Sequence, residues 1–159
     1  DLSSIDALYN AQASLVLGGV SPNYKARRQK LKNLLSALFI YREELLEALQ
    51  DDLGKPTLET EVVEFHPTVA ELQFALRNLR QWMDERLVPT PLSLLGSRNS
   101  VRIEPQGHCL IITPWNYPIW LTVSSVISAV AAGNRIVVTP SEYVDKPAKV
   151  LENVLLSLF

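Results

Sequence analysis

Leucines recur at three- and four-residue spacing at Leu31, Leu34, Leu35, Leu38, Leu45, Leu46 and Leu49, a period that lines one face of an α-helix. Ser21–Pro22 is a helix start signal, and Gly54 followed by Lys55 and Pro56 is a stop, so the spacing predicts one long amphipathic helix over 22–52. A second helical stretch, capped by Thr57 and reaching about Arg86, carries Leu58, Val62, Val63, Phe65, Val69, Leu72, Leu76, Leu79, Trp82 and Met83. His66–Pro67 interrupts it, and a break or kink is expected there.

The pattern then changes. Val88 to Ser100 holds Pro89, Pro91 and Gly96 and reads as a connecting loop. Ser100 to Glu104 alternates as a short strand, Pro105–Gly107 turns, and Cys109–Ile112 is a continuous apolar run of the kind expected to be buried on both faces. Ile119 to Ala132 reads as helix, Gly133 and Asn134 as its stop, and Arg135 to Val138 as a second buried strand. Strand, helix, strand is a parallel unit. Asp145 and Pro147 open a last amphipathic helix through Val150, Leu151, Val154, Leu155 and Leu158.

The fold class predicted is α/β: N-terminal helices followed by a first βαβ unit of a larger parallel sheet. The expected organisation is an N-terminal extension (1–21), a helical segment (22–87), a connecting loop (88–99) and a partial α/β domain (100–159). Two parallel strands cannot stand alone, so further strands must come from missing chain or another molecule. The chain opens on Asp1 and stops on Phe159 in mid-helix pattern, and both ends are expected to be cuts.

Composition narrows the classes. Of 159 residues 47% are apolar and 20% charged, with a net charge of −2, which offers no basic field for nucleic acid. The cluster Lys25, Arg27, Arg28, Lys30, Lys32 reads as a solvated helix face. One cysteine, Cys109, excludes an internal disulfide, and two histidines without a nearby Cys/His cluster argue against a metal site. A cytoplasmic location is expected. No membrane association is evident, since the most apolar stretch, Ile119–Ala132, is too short to span a bilayer.

The candidate chemistry lies in Thr113–Pro118, which joins a strand to a helix. A helix N-terminus offers unpaired N–H groups and partial positive charge, favouring negative charge nearby, and Asn116 adds a directed donor. A simpler reading makes Asn116 a cap of the helix at Ile119. The second strand ends at Thr139, Pro140, Ser141 and Glu142, the carboxyl edge where open parallel sheets bind ligands. Cys109, inside an apolar strand, is not a candidate nucleophile, because apolar surroundings raise a thiol's pKa.

An ordered series of motifs resembles the aldehyde dehydrogenase superfamily, most closely its class 3-like branch. It includes Arg28, Gln29 and Leu31; Ala48 and Leu49 through Asp52–Pro56; Glu104, Pro105 and Gly107; Pro114–Pro118; Ala129–Asn134; and Pro140–Glu142. The resemblance implies that 100–159 is the first βαβ part of a Rossmann-like NAD(P)-binding domain, truncated, and that the whole protein carries out NAD- or NADP-dependent oxidation of an aldehyde to an acid through a cysteine thiohemiacetal. It implies Asn116 as the catalytic donor to the thiohemiacetal oxygen, and Tyr117 as a substrate-lining residue. Cofactor contacts are implied at Ile112, Thr113, Pro114, Trp115, Thr139, Ser141 and Glu142. The family usually has lysine where Thr139 stands, and the loss of that cationic donor is expected to weaken or alter ribose binding. The nucleophilic cysteine, the general-base glutamate and the oligomerisation strand would lie beyond Phe159. The fragment alone is therefore expected to be inactive, and its partners are the aldehyde, the missing C-terminal part and, for the full-length protein, a second copy in a homodimer. The alternative is a truncated, non-catalytic binding relative.

Overall fold

The computed structural model describes residues 21–158 together with Ala7, Asn10, Gln12 and Ala13, so the predicted extension 1–21 lies almost wholly outside the described residues. The first helix, α1 (Tyr24–Ile40), is capped by Asn23, whose side chain accepts from the Ala26 N–H at 3.0 Å. It starts two residues later than Ser21–Pro22 suggested. The single long helix expected over 22–52 is in fact two, α1 and α2 (Arg42–Leu53), parted at Tyr41 (φ −93°, ψ 12°). Phe39, Ile40 and Tyr41 are three weak helix formers in succession, and the chain bends there. Gly54, left-handed at φ 65°, ends α2 as expected.

Thr57 lies inside the next helix and does not cap it. The N-cap is Pro56, without a side-chain hydrogen bond, opening α3 (Thr57–Thr60). A π-helical turn, Glu61–Phe65, follows and runs into α4 (His66–Met83), with Pro67 in the first turn. The interruption expected at Pro67 thus takes the form of a widened turn just before it, where proline's missing N–H costs no helical bond.

The loop expected over 88–99 belongs to a hairpin. Strand β1 (Arg86–Val88) pairs antiparallel with β2 (Asn99–Val101), and a 3₁₀ turn, Leu92–Leu94, lies between them. The strand expected at Ser100–Glu104 is accordingly shorter. Then come β3 (His108–Ile112), α5 (Pro118–Ala132), β4 (Arg135–Thr139) and α6 (Asp145–Leu156), close to the predicted bounds. Strands β3 and β4 run parallel in register from His108↔Arg135 to Ile112↔Thr139.

One apolar cluster joins α1, α2, α4, α5 and α6 to the inner face of the sheet through Ile111, with Cys109, Ile136 and Val138 packed against it. The other face is open: Leu110 is 64% and Ile112 73% exposed. Burial on both faces was expected of this run, and only one is covered, because every described helix that packs on β3 and β4 lies on the Ile111 side. No helix among the described residues is long and apolar enough to cross a membrane.

Candidate functional site

The carboxyl ends of β3 and β4 bring together the residues singled out from the sequence. Ile112 and Thr139 are register partners, and the Thr113 N–H donates to the Thr139 carbonyl at 3.1 Å, so the Thr113–Pro118 corner and the Thr139–Glu142 turn sit side by side. Ile112, Pro114, Trp115, Asn116, Tyr117, Thr139 and Glu142 are exposed, and Ser141 is half-buried. Thr113 differs. Its side chain is buried and shares a 2.9 Å hydrogen bond with the Thr122 hydroxyl, which ties strand to helix and leaves only its backbone near the edge. The Ser141 hydroxyl accepts from the Tyr143 N–H at 3.3 Å, holding the turn after β4.

The corner reverses direction at Tyr117, the N-cap of α5, which is left-handed at φ 52°, ψ 49°. It is the only described non-glycine residue with positive φ. A bulky side chain there costs on the order of 1–3 kcal/mol and persists only where its surroundings impose it. Pro118 follows at the first helical position, where its fixed φ suits the helix and its missing N–H leaves nothing unpaired.

The helix N-terminus is not open to an outside anion. Glu64, with no exposed surface, comes from the π turn and accepts from the Ile119 N–H at 2.9 Å and the Trp120 N–H at 3.4 Å. Its other oxygen pairs with Lys55 Nζ at 2.6 Å. The positive end of the α5 dipole is thus met by the protein's own carboxylate. Anion stabilisation by these amides, expected from the strand-to-helix junction, is corrected by this arrangement. The capping reading of Asn116 falls with it: α5 has no side-chain cap from its own corner, and Asn116 makes no hydrogen bond to the described residues. An exposed carboxamide with its donors free is what remains for a ligand.

Lys55 and Glu64 were not singled out as site residues in the sequence. The signal available was a charge in an apolar context, Val63–Glu64–Phe65, on a row with Thr60 and Thr68, which are also fully buried. The Thr68 hydroxyl donates to the Glu64 carbonyl at 2.7 Å, filling one gap the widened turn leaves. Lys55 also lies over the Tyr117 ring, with Nζ 4.2 Å from its centroid, and Tyr117 meets Trp120 edge-on at 6.4 Å. Glu71 steadies the first turns of α5 further along, accepting from the Ser124 hydroxyl at 2.8 Å.

The amino ends of the strands are built differently. Arg27 is buried and donates from Nε to the Pro22 carbonyl (2.7 Å), from Nη1 to the Ala131 carbonyl (2.9 Å) and from Nη2 to the Ser21 hydroxyl (2.8 Å). Burial pushes its guanidinium below its ordinary value. Gly133 ends α5 at φ 88°, and a Cβ there would overlap the Arg27 guanidinium. A cavity of about 560 Å³, lined in part by Arg27, Arg102, Glu104 and Arg135, opens at this end, away from Asn116. No group of three or more His, Cys, Asp or Glu among the described residues could hold a metal ion.

Comparison with known proteins locates this arrangement. A family model described as "Aldehyde dehydrogenase family" matches residues 10–155. The 4,4'-diaponeurosporen-aldehyde dehydrogenase of Staphylococcus aureus is 36% identical over 133 residues, 84% of this chain and 29% of that protein. Aldehyde dehydrogenase family 3 member B1 of Mus musculus is 43% identical over 129 residues, 81% of this chain and 28% of that protein. The chain therefore spans about three-tenths of the length of these relatives. Among solved structures, Staphylococcus aureus AldH in a substrate-bound state superposes with a TM-score of 0.88 at 33% identity, covering 96% of this chain and 33% of that one. A succinic semialdehyde dehydrogenase from Streptococcus pyogenes in complex with NADP+ shares the fold, with a TM-score of 0.82 at 18% identity over 99% of this chain and 34% of that one.

Proposed function

The chain belongs to the aldehyde dehydrogenase family, and we propose that it forms the N-terminal part of an NAD(P)-dependent enzyme that oxidises an aldehyde to a carboxylic acid. Segment 22–87 acts as cover for the nucleotide-binding unit 100–159, and the hairpin around 88–99 links them. A cysteine thiolate, supplied by the remainder of the protein, adds to the carbonyl carbon, and the carbonyl oxygen takes the negative charge. Asn116 donates a hydrogen bond from its carboxamide to that oxygen. The single observation that carries this reading is an exposed amide at the carboxyl edge of a parallel pair, unbonded to its own helix, whose amides are already taken by Glu64.

The residues beside it suit a dinucleotide. Glu142 is exposed and in no ion pair among the described residues, an acceptor for ribose hydroxyls, and Thr139 brings a neutral hydroxyl to the strand end. NAD(P), when bound, supplies the hydride acceptor. Ile112, Pro114 and Trp115 give it an apolar wall, Thr113 a backbone edge and Ser141 a turn fixed by its own hydroxyl. Tyr117 lines the aldehyde's approach. Glu142 favours NAD, because a 2′-phosphate would meet like charge, yet class 3-like members can accept both cofactors, and Thr139, where the family usually has lysine, removes a cationic donor to the ribose. The full-length protein works as a cytoplasmic homodimer, and the chain without its C-terminal part turns nothing over.

In the full-length protein, Asn116→Ala is expected to lower kcat by roughly 100- to 1000-fold, the usual loss of one oxyanion donor, with cofactor Kd little changed. Loss of cofactor affinity alone would give Asn116 another role. Thr139 in place of the family's lysine favours one rival, a non-catalytic binding relative. No turnover by a full-length protein that still binds cofactor would select it.

A further inference from the structure

The oxyanion reading leaves two features of the corner without a purpose: a left-handed tyrosine and a buried ion pair. A helix is usually capped by a Ser, Thr, Asp or Asn at the N-cap position, with extended backbone. A local cap at residue 117 would therefore need a backbone unlike the one observed, and would swing Asn116 elsewhere. Here the capping carboxylate comes instead from Glu64, more than fifty residues earlier, through 2.9 and 3.4 Å bonds to the Ile119 and Trp120 N–H groups. Position 117 is thereby released to adopt φ 52°.

The same Lys55 Nζ that holds Glu64 at 2.6 Å lies 4.2 Å from the centroid of the Tyr117 ring. One ammonium thus fixes the corner residue through its ring and the helix start through Glu64, on the two sides of the Tyr117–Pro118 bond. A buried ion pair is a poor source of stability, since well-packed apolar residues often serve as well. What it supplies is direction. Lys55 is at once the residue after the α2 stop and the one that reaches the site, so the end of α2 and the π turn are both registered against Asn116.

We propose that Lys55 and Glu64 are positioning residues that hold Tyr117 in its left-handed form and so set where the carboxamide of Asn116, the residue before it, stands. This rests on the reading of Asn116 as the oxyanion donor. Glu64 acts through the Ile119 and Trp120 N–H groups, and Lys55 through Glu64 and the Tyr117 ring.

The test is a double-mutant cycle on the full-length protein, with kcat, KM and thermal unfolding followed in each variant. Lys55→Met is expected to lower kcat roughly 10- to 100-fold, as a displaced catalytic donor does, with KM for the aldehyde within about twofold of the parent. Lys55→Arg, which keeps the cation, is expected to restore most of the loss. In an Asn116→Ala background Lys55→Met should cost little further, because the group it positions is gone. Should Lys55→Met fold poorly with Glu64 left unpaired, Lys55→Met/Glu64→Gln removes both charges and carries the same expectation. An undiminished kcat in Lys55→Met, or an equal loss in both backgrounds, overturns the positioning role and leaves the donor reading intact. If Asn116→Ala itself leaves kcat unchanged, the donor reading fails and this inference fails with it.

Discussion

The two ends of the β3–α5–β4 unit solve opposite problems. At the amino ends of the strands the polar groups are closed on one another. Arg27 binds the Ala131 carbonyl, the Asn134 side chain accepts from the Gly107 N–H at 2.9 Å, and the Arg135 N–H donates to the Gly107 carbonyl at 2.9 Å. Positive φ falls there on glycines, where it is free of Cβ strain. At the carboxyl ends positive φ falls on a tyrosine, aromatic rings face solvent, and the Asn116 amide has no partner among the described residues. On the proposed reading, a chain that closes these backbone groups at one end and leaves a carboxamide without a partner among the described residues at the other separates stability from chemistry along a single helix.

Perturbing the amino end should therefore reduce stability without changing the chemistry of each folded molecule. The largest effect is expected from Arg27→Met, which strips the Ala131 and Pro22 carbonyls of a buried donor. A loss of about 3 kcal/mol in urea unfolding is expected, with kcat per folded full-length enzyme unaltered. Gly133→Ala forces a side chain into left-handed backbone and against the Arg27 guanidinium, and should cost about 2 kcal/mol by the same measurement. A drop in kcat matching either loss would erase the distinction between the two ends.

The smallest effect is expected at Glu61, the first residue of the π turn. Arg42 hydrogen-bonds Glu61 and holds its carboxyl below the ordinary value of 4.5, while Glu61 raises Arg42, which stays charged throughout. A depressed carboxylate contributes stability above its unfolded pKa and loses it as pH falls through the folded value. Glu61→Gln should thus unfold slightly more easily than the parent at about pH 6 and no differently at the acid end of the range. Because both side chains keep part of their surface in water, a shift approaching that of Gly133→Ala would mean the pair is more than a surface contact.

Much of this division was legible in the sequence. Pro118 and Gly133–Asn134 punctuate α5 so sharply that its bounds, and those of β3 and β4, could be read from local chemistry. The motif carrying Asn116 is local too. What escaped depends on distant partners. The break at Tyr41 is silent because the leucine spacing runs straight through it from Leu38 to Leu45. The hairpin of β1 and β2 pairs two exposed three-residue strands across a ten-residue excursion, with no buried face to impose alternation. Glu64 caps a helix it precedes by more than fifty residues, so spacing could not connect them, although a carboxylate among Val63 and Phe65 was an anomaly asking for a partner. The open face of Leu110 and Ile112 reads in sequence like any buried strand, since composition records the need for cover and not its presence.

The most direct measurement puts both ends of the comparison into one variant: urea unfolding and turnover of full-length Asn116→Ala, determined on the same preparation. The unfolding midpoint is expected to match the parent, because the amide makes no hydrogen bond among the described residues, while kcat falls by roughly 100-fold or more. A parent-like kcat, or a fall in kcat no larger than the loss of folded protein accounts for, would contradict the assignment of chemistry to the carboxyl end.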